Sequence, residues 1–302
     1  MSQPRLRVPD GRQGPGPTPR PVVDALDLVV ARRVVGALPG DRVASGFGAG
    51  TELAQLRPYE VGDDVRLIDP SATARTGEPH VRLHVPERIL TTWIVLDVSP
   101  SMAFGTQKRL KADVAEGVVT VVSRLAVRRA GRVALVSFGA GQTEVLPPRA
   151  SKPAIAGIRQ ALARGVACDG VNDPHAMSHA LGQVGRLSAR PGLVVIVSDF
   201  RDEDHWVAPL GALRARHAVV AVEVRDPREG EIPAAGRLAL VDPESGRRVE
   251  VDSSSSRVRS AFSRIEGERR ARVASELRRL QVEHAVLSTE RDWLADLGRA
   301  LA

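Results

Sequence analysis

Short apolar runs of strand length recur along most of the chain and alternate with amphipathic segments of helical period. The runs are Trp93–Leu96, Val133–Val136, Leu193–Val197, Val219–Val224 and Ala285–Leu287. The helical segments between them are Lys111–Arg128, Ile155–Leu162, Pro174–Leu187 and Leu210–Ala215. Because alternating strands and helices are joined by crossovers, this pattern predicts an α/β fold with a doubly wound, mostly parallel sheet covered on both faces.

After the fourth run, the pattern predicts a hairpin and then a long helix. Leu238–Val241 and Val249–Val251 are separated by a turn sequence, which predicts a hairpin insertion near residues 236–251. A serine cluster after Asp252 is suited to cap a helix. The predicted apolar stripe of that helix consists of Val258, Phe262, Ile265, Val273, Leu277 and Leu280.

The N-terminal part of the chain differs in composition from the rest. Residues 1–21 are rich in Pro, Gly and Arg and predict a disordered tail. Residues 22–88 predict an irregular α+β extension, in which a helix over Val22–Leu38 and an edge strand around Val81–Val85 flank a segment without clear period. Residues 89–302 then form the α/β domain.

Composition narrows the class of protein. The chain has 302 residues, 43% of them hydrophobic but only 3% aromatic, so its core must be built from aliphatic side chains. The single cysteine, Cys168, excludes a disulfide framework. The sequence contains no apolar stretch of 18 residues and no signal-peptide pattern. We therefore expect a cytoplasmic protein without a membrane span.

The net charge of +7 comes with an unusual preference for arginine. Only three of the 43 basic residues are lysines, Lys108, Lys111 and Lys152, which leaves 40 arginines. This bias is typical of G+C-rich coding, and we expect no nucleic-acid partner. An arginine-driven nucleic-acid binder stays open as an alternative, with a basic face on the last long helix.

Oxygen-bearing side chains follow two of the predicted strands. Asp97, Ser99 and Ser101 come directly after the first run, and their alternate spacing lets them point to one side of an extended loop. Asp199 ends the third run. Ligands of open parallel sheets bind at the carboxyl ends of the strands. Since all these donors are hard oxygens, they predict a shared site for Mg²⁺ or Mn²⁺, whereas turn formation is the simpler alternative.

Two of these motifs resemble the metal-ion-dependent adhesion site (MIDAS) of von Willebrand factor A domains, a Rossmann-type fold. They are VLDVSPSM at Val95–Met102 and VIVSDF at Val195–Phe200. The resemblance implies that Ser99 and Ser101 bind the metal directly, that Asp97 does so directly or through water, and that Asp199 is the acid of the third loop. The threonine expected in the second loop is missing from Gly170–Asp173, so Asn172 replaces it as the implied ligand, with Asp173 as a possible addition or simply a helix cap.

Together with LRPYEVGDDVRLIDPSATART at Leu56–Thr76 and VRDPRE at Val224–Glu229, these motifs resemble the domain-of-unknown-function 58 family. The segment Leu56–Thr76 concentrates opposite charges, and we expect a structural network in which Arg66 and Arg75 pair the acids; a docking or catalytic surface is the alternative. The residues of this family motif are Tyr59, Gly62, Asp63, Asp64, Arg66, Asp69 and Arg75.

The resemblance implies a non-enzymatic, metal-dependent protein-interaction module. Its expected partners are a protein ligand that completes the metal shell with an acidic residue and a MoxR-type AAA+ ATPase, with a chaperone-like role in assembly or maturation of complexes. The chain has no P-loop sequence, so ATP hydrolysis belongs to that partner.

A Mg-dependent phosphatase-like hydrolase with Asp97 as nucleophile is the enzymatic alternative. The haloacid-dehalogenase pattern places a second Asp two residues later, where this chain has Ser99. No Gly-x-Ser-x-Gly sequence surrounds either serine, so we expect no enzymatic activity.

Overall fold

The computed structural model describes residues 14–27, 52–85, 90–170, 173–201 and 204–301. The chain divides into two units, Gly40–Ile89 and the combination of Met1–Pro39 with Leu90–Ala302. In chain order, the strands are β1 (Glu52–Pro58), β2 (His80–Val85), β3 (Thr91–Asp97), β4 (Arg132–Phe138), β5 (Glu144–Arg149), β6 (Leu193–Ser198), β7 (Ala218–Arg225), β8 (Arg237–Val241), β9 (Arg248–Asp252) and β10 (Glu283–Ser288).

Seven α-helices accompany these strands in the described residues, beside a helical segment at residues 20–27. They are α1 (Pro70–Thr76), α2 (Lys111–Arg128), α3 (Ser151–Leu162), α4 (Ala176–Leu187), α5 (Val207–Arg214), α6 (Ser256–Arg279) and α7 (Trp293–Leu301). In the described parts of the chain, no helix combines the length and the apolar character that a membrane crossing needs.

A six-stranded sheet in the order β10-β7-β6-β3-β4-β5 forms the centre of the larger unit. Every neighbouring pair is parallel except β4 with β5, which confirms the predicted mixed α/β fold with a largely parallel sheet. The chain starts in the middle at β3, builds outward through β4 and β5, and then continues from β6 on the other side. The winding direction therefore switches between β3 and β6, and such switch points open a crevice at the carboxyl ends of the strands.

Helices cover both faces of this sheet. Successive strand residues point to opposite sides, so each apolar strand has a face on either side that must be covered. In β6, Val195 and Val197 pack in a cluster with residues of α2, α3 and α7. Val194 and Ile196 pack in the other cluster, with residues of α4, α5 and α6. All six residues of β6 are buried, as expected for a central parallel strand.

Two elements of the larger unit lack a clear signal in the sequence. Strand β5 contains Pro147 and Pro148. These prolines are tolerated because the strand lies at the edge of the sheet.

The other element is helix α7. It packs Trp293 closely against Gly117 of α2, where an added Cβ would lie 2.4 Å from the indole ring. The glycine in the middle of α2 is thus explained by a close approach of the two helices.

Helix α6 begins at the end of the serine cluster, with Ser255 as its N-cap, but it agrees only in part with its predicted stripe. Val273 and Leu277 are buried, whereas Ile265 is 59% exposed. The neighbouring Glu266 is buried instead and accepts hydrogen bonds from Arg269 and Arg270. An ionic contact thus replaces the apolar contact that the periodicity predicts.

Two contacts join the start of the larger unit, where the sequence predicts a disordered tail over residues 1–21 and then a helix, to helix α7. Trp293 Nε1 donates a hydrogen bond to the carbonyl of Pro15 at 2.7 Å. Leu26, in the helical segment at residues 20–27, is buried in the core with α7 rather than grouped with the smaller unit. Residues 1–13 and the rest of the predicted helix, 28–38, lie outside the described residues.

In the smaller unit, β1 and β2 form an antiparallel pair with a bulge between Leu53 and Gln55. The predicted edge strand is confirmed as β2, and its partner β1 was not predicted. Asp64 caps a 3-10 helix and Asp69 caps α1, where Pro70 occupies the first turn. Helix capping therefore explains two of the acids that the sequence concentrates here.

Candidate functional site

Asp97 is held rigidly at the end of β3, at the switch point of the sheet. Its carboxylate is buried, with Oδ1 accepting from the Ser99 N–H at 2.9 Å and Oδ2 accepting from the Ser198 hydroxyl at 2.5 Å. The Ser198 hydroxyl in turn accepts from the Phe200 N–H at 3.0 Å. Each carboxylate oxygen is thus fixed by a different strand end.

Ser99 and Ser101 follow Asp97 in a loop that contains a 3-10 helix at Pro100–Ala103. Both serines are buried, and their hydroxyl oxygens lie 3.1 Å apart. Gly139, after β4, allows the loop to pack closely against it at Ser99. The φ of Gly139 is 92°, and a Cβ added there would lie 2.7 Å from Ser99 Cβ. The two hydroxyls therefore form a fixed pair of oxygen donors.

Asp199 reaches the same site from the end of β6, as the sequence predicts. Its carboxylate is buried, and the nearby Ser101 hydroxyl of the first loop helps to lower its pKa. The Lys111 ammonium donates to Asp199 Oδ2 at 2.5 Å and also contacts Glu229. Arg201 lies 3.7 Å from the same oxygen.

The pKa values of Asp97 and Asp199 shift in opposite directions. Burial and the negative charge of Asp199 raise the pKa of Asp97 to about 7. Lys111 and Arg201 instead lower the pKa of Asp199, although burial acts in the opposite direction. Near neutral pH, Asp199 is ionised and Asp97 lacks a cation of its own.

The first loop has donors that suit a hard divalent cation. Neighbouring ligands of an octahedral Mg²⁺ ion, bound at about 2.0–2.1 Å, lie about 2.9 Å apart, close to the spacing of the Ser99 and Ser101 hydroxyls. A cation there would also compensate the buried Asp97 carboxylate. Within the described part of the chain, no three His, Cys, Asp or Glu side chains group as a metal site, so the hydroxyls would be essential ligands.

Of the two residues that the resemblance implies in the second loop, the structure describes Asp173. Asn172 lies outside the described residues. Asp173 accepts from the His175 N–H at 2.9 Å, and its other oxygen lies 3.5 Å from His179 Nδ1. Asp173 therefore contacts the segment before α4, but it is not the helix cap that the sequence offers as the simpler alternative, because the N-cap position is His175.

Sequence reasoning missed the role of four charged residues of the site: Lys111, Arg201, Glu229 and Glu244. Lys111 begins a predicted amphipathic helix, where its rarity among the basic residues was the only available signal. Glu229 belongs to VRDPRE, but its role depends on where the loop after β7 ends. Glu244, in the turn of the β8–β9 hairpin, accepts from the Ser101 N–H at 3.0 Å, a contact between residues 143 positions apart.

The family-motif residues lie in the smaller unit. Asp63 pairs with Arg57 at 2.7 Å and accepts from the Glu60 N–H, which lowers the Asp63 pKa. Among the described residues of this unit, the ion pair of Asp63 is thus with Arg57, and the expected pairing of the acids by Arg66 and Arg75 is not shown there. Arg66 contributes its backbone N–H to Asp64.

The other motif residues are in the backbone framework of this unit. The Tyr59 N–H donates to Pro79 at 2.8 Å, and Gly62 has a φ of 112° that favours glycine. Arg75 lies in the last turn of α1. These contacts stabilise the backbone of the segment.

Comparison with known proteins gives matches over most of the chain. The family model described as "Protein of unknown function DUF58" matches residues 55–272. Uncharacterized proteins of Mycobacterium tuberculosis and Mycobacterium bovis are 38% identical over 289 residues, which covers 92% of this chain and 87% of theirs.

Among solved structures, BatB from Bacteroides thetaiotaomicron is similar over 70% of this chain and 97% of its own, with 13% identity and a TM-score of 0.44. The VWA domain of SpRpn10 is similar over 45% of this chain and 75% of its own, with 14% identity and a TM-score of 0.33. The chain belongs to the DUF58 family of proteins of unknown function.

Proposed function

We propose that this protein is a non-enzymatic interaction module with a von Willebrand A-like domain, which binds a partner's acidic side chain through a divalent cation. The observation that carries the proposal is the pair of buried hydroxyls, Ser99 and Ser101, fixed 3.1 Å apart beside the uncompensated Asp97 carboxylate. Carboxylate and hydroxyl oxygens at the switch point of a parallel sheet suit a small hard cation and a ligand arriving from solvent.

Ser99, Ser101 and Asp97 would hold Mg²⁺ or Mn²⁺, with Asp199 supporting Ser101 from the third loop. When bound, the ion would supply a free coordination position for a carboxylate oxygen of the partner. Lys111 keeps Asp199 ionised and fixed in place. Ser99, Ser101 and Asp97 thus determine how many protein oxygens would bind the ion and from which side.

The partner side of the proposal comes from the family resemblance. We propose a MoxR-type AAA+ ATPase as the associated enzyme and assembly or maturation of protein complexes as the process. The sequence given has no Gly-x-x-x-x-Gly-Lys-Ser/Thr loop, which is consistent with ATP hydrolysis residing in the partner.

The ion pairs along α6 weigh against the nucleic-acid alternative. Glu266 pairs with Arg269 and Arg270, and Glu268 pairs with Arg264 at 2.8 Å. Because these arginines already have carboxylate partners, the helix presents less positive charge than its sequence indicates. A phosphate backbone needs several uncompensated cations.

Metal binding is tested by calorimetry and by the melting temperature with and without Mg²⁺ or Mn²⁺. A ligand at 100 times its Kd stabilises the folded state by about 2.7 kcal/mol, so we expect an increase of several degrees in wild type. The double variant Ser99→Ala/Ser101→Ala should lose the increase, whereas Ser260→Ala, an exposed hydroxyl on α6, should keep it. An equal increase in all three proteins would refute the site.

The ATPase partner is tested with a purified MoxR-type ATPase in constant Mg²⁺ and nucleotide. The ATPase needs Mg²⁺ itself, so the comparison uses variants rather than a chelator. We expect wild type and Ser260→Ala to bind the ATPase or change its rate of hydrolysis, and Ser99→Ala/Ser101→Ala to bind at least tenfold more weakly. Equal binding by all three would separate the partnership from the metal site.

A further inference from the structure

The tip of the β8–β9 hairpin brings a carboxylate to the oxygen donors of the first loop. Glu244 Oε1 accepts from the Ser101 N–H at 3.0 Å. The half-buried Glu244 carboxyl group also lies near the hydroxyls of Ser99 and Ser101. Glu244 therefore binds the backbone of the loop whose hydroxyls would hold the proposed cation.

A second hydrogen bond attaches the hairpin tip to the second loop. The Gly170 N–H donates to the Pro243 carbonyl at 2.9 Å. Within the tip, the Asp242 carboxylate accepts from the Glu244 N–H at 3.1 Å and from the Ser245 hydroxyl. These hydrogen bonds within the turn thus hold Glu244 in place next to Ser101.

The strands of the hairpin contribute little to the core. None of the residues of β8 and β9 is buried, and Val241 and Val249 are 47% and 45% exposed. A two-stranded hairpin is only marginally stable by itself in water. The tip can therefore leave the first loop without exposing the apolar clusters of the sheet.

The geometry points to a carboxylate subsite on the first loop, formed by the Ser101 N–H and the hydroxyls of Ser99 and Ser101, which Glu244 occupies in cis. An acidic segment of a partner protein takes this subsite when the hairpin tip moves away, so the hairpin acts as an autoinhibitory cap. This inference rests on the proposed function, because the subsite lies beside the proposed cation. A partner can then bind the subsite only when it displaces Glu244.

The test uses the full chain with saturating Mn²⁺ and a fluorescein-labelled peptide of residues 241–247 as a probe added in trans. Glu244→Ala removes the carboxylate from the cap. Glu250→Ala is the matched control, because it removes an exposed carboxylate from β9 of the same hairpin. Calorimetry first measures the affinity of each protein for Mn²⁺, and fluorescence anisotropy then measures the affinity for the peptide.

We expect all three proteins to bind Mn²⁺ with similar affinity, and the peptide to bind Glu244→Ala at least tenfold more tightly than wild type or Glu250→Ala. If Glu244 occupies the subsite about 90% of the time, its removal increases the apparent affinity for the peptide about tenfold. The same peptide with Gln in place of its Glu should not bind. Glu244→Gln serves as a second variant if Glu244→Ala does not fold, and its expected gain is smaller but in the same direction.

The remaining outcomes separate this inference from the proposed function. Normal Mn²⁺ binding with equal or absent peptide binding in all proteins would overturn the cap and leave the metal site intact. A loss of Mn²⁺ affinity in Glu244→Ala alone would make Glu244 a metal ligand rather than a competitor. Absence of Mn²⁺ binding in wild type would overturn the proposed function, and the cap with it.

Discussion

The ammonium of Lys111 lies 2.5 Å from Asp199 Oδ2, and both side chains are almost completely buried. Lys111 begins α2, whereas Asp199 follows β6, so the ion pair joins a crossover helix to the loop on the other side of the switch point. The same ammonium contacts Glu229 after β7. One lysine therefore fixes two acidic loops at the carboxyl edge of the sheet.

Lys111→Met should strongly destabilise the protein, because it removes the cation that lies closest to two buried carboxylates and leaves them only the longer contacts to Arg201. Breaking a buried ion pair costs about 3–5 kcal/mol, and we expect a loss of that order in the free energy of unfolding in denaturant. Lys108→Met, on an exposed lysine nearby, is the control and should change stability little. A cost below about 1 kcal/mol for Lys111→Met would contradict the role of the pair.

Asp97→Asn should stabilise the metal-free protein at neutral pH. The pKa of Asp97 rises from 3.8 to about 7 on folding, so the folded state binds the extra proton between these values. Stability should then fall as pH increases from about 4 to about 7 in wild type. Since one pKa unit corresponds to about 1.4 kcal/mol, the gain in Asp97→Asn at pH 8 is on the order of 2–4 kcal/mol.

This prediction is measured by chemical unfolding at several pH values with a chelator present. Asp169→Asn, an exposed acid near the second loop, is the control and should follow wild type. If Asp97→Asn shows the same pH dependence as wild type, Asp97 is not the group that titrates in this range.

Asp226→Asn should destabilise the protein at neutral pH but not in acid. The carboxylate accepts hydrogen bonds from Thr106, Thr289 and the Arg228 N–H, and these contacts lower its pKa. Its contribution is present above the unfolded pKa of about 3.8 and is lost as pH falls through the lower folded pKa. We expect a cost of about 2 kcal/mol at pH 7.

Thermal unfolding at pH 7 and at pH 3 or below measures this effect. The gap between wild type and Asp226→Asn should become smaller as the pH falls, because protonated Asp and Asn are similar acceptors. A gap that stays constant with pH would mean that lost packing, rather than lost charge, destabilises the variant.

Two glycines in helices should respond to alanine in opposite directions. Gly117→Ala places a Cβ 2.4 Å from the buried Trp293 ring and should cost about 1–3 kcal/mol through overpacking. Gly157, inside α3, has nothing within 4 Å of the added Cβ, so Gly157→Ala should stabilise by about 0.5–1 kcal/mol through helix propensity. Denaturant unfolding of both variants compares them, and equal effects would disprove the contact between α2 and α7.

Local sequence patterns predicted the elements whose burial is uniform. The strands β3, β4, β6 and β7 lie between helices, so their apolar runs are continuous and easily read. Helix α2 agrees with its predicted bounds of Lys111–Arg128. Strand β5 was missed because its prolines are acceptable only at an edge, and the edge position is a property of the whole sheet.

The sequence by itself determined the alternation of strands and helices, the buried character of the central strands, and the presence of Asp97, Ser99, Ser101 and Asp199 at strand ends. Those features depend on residues that are close along the chain. Only the tertiary structure decided that Lys111 pairs with Asp199 and that Glu244 reaches Ser101. Residues 88 and 143 positions apart meet there because the order of the strands brings their loops to one edge, and no local periodicity records that order.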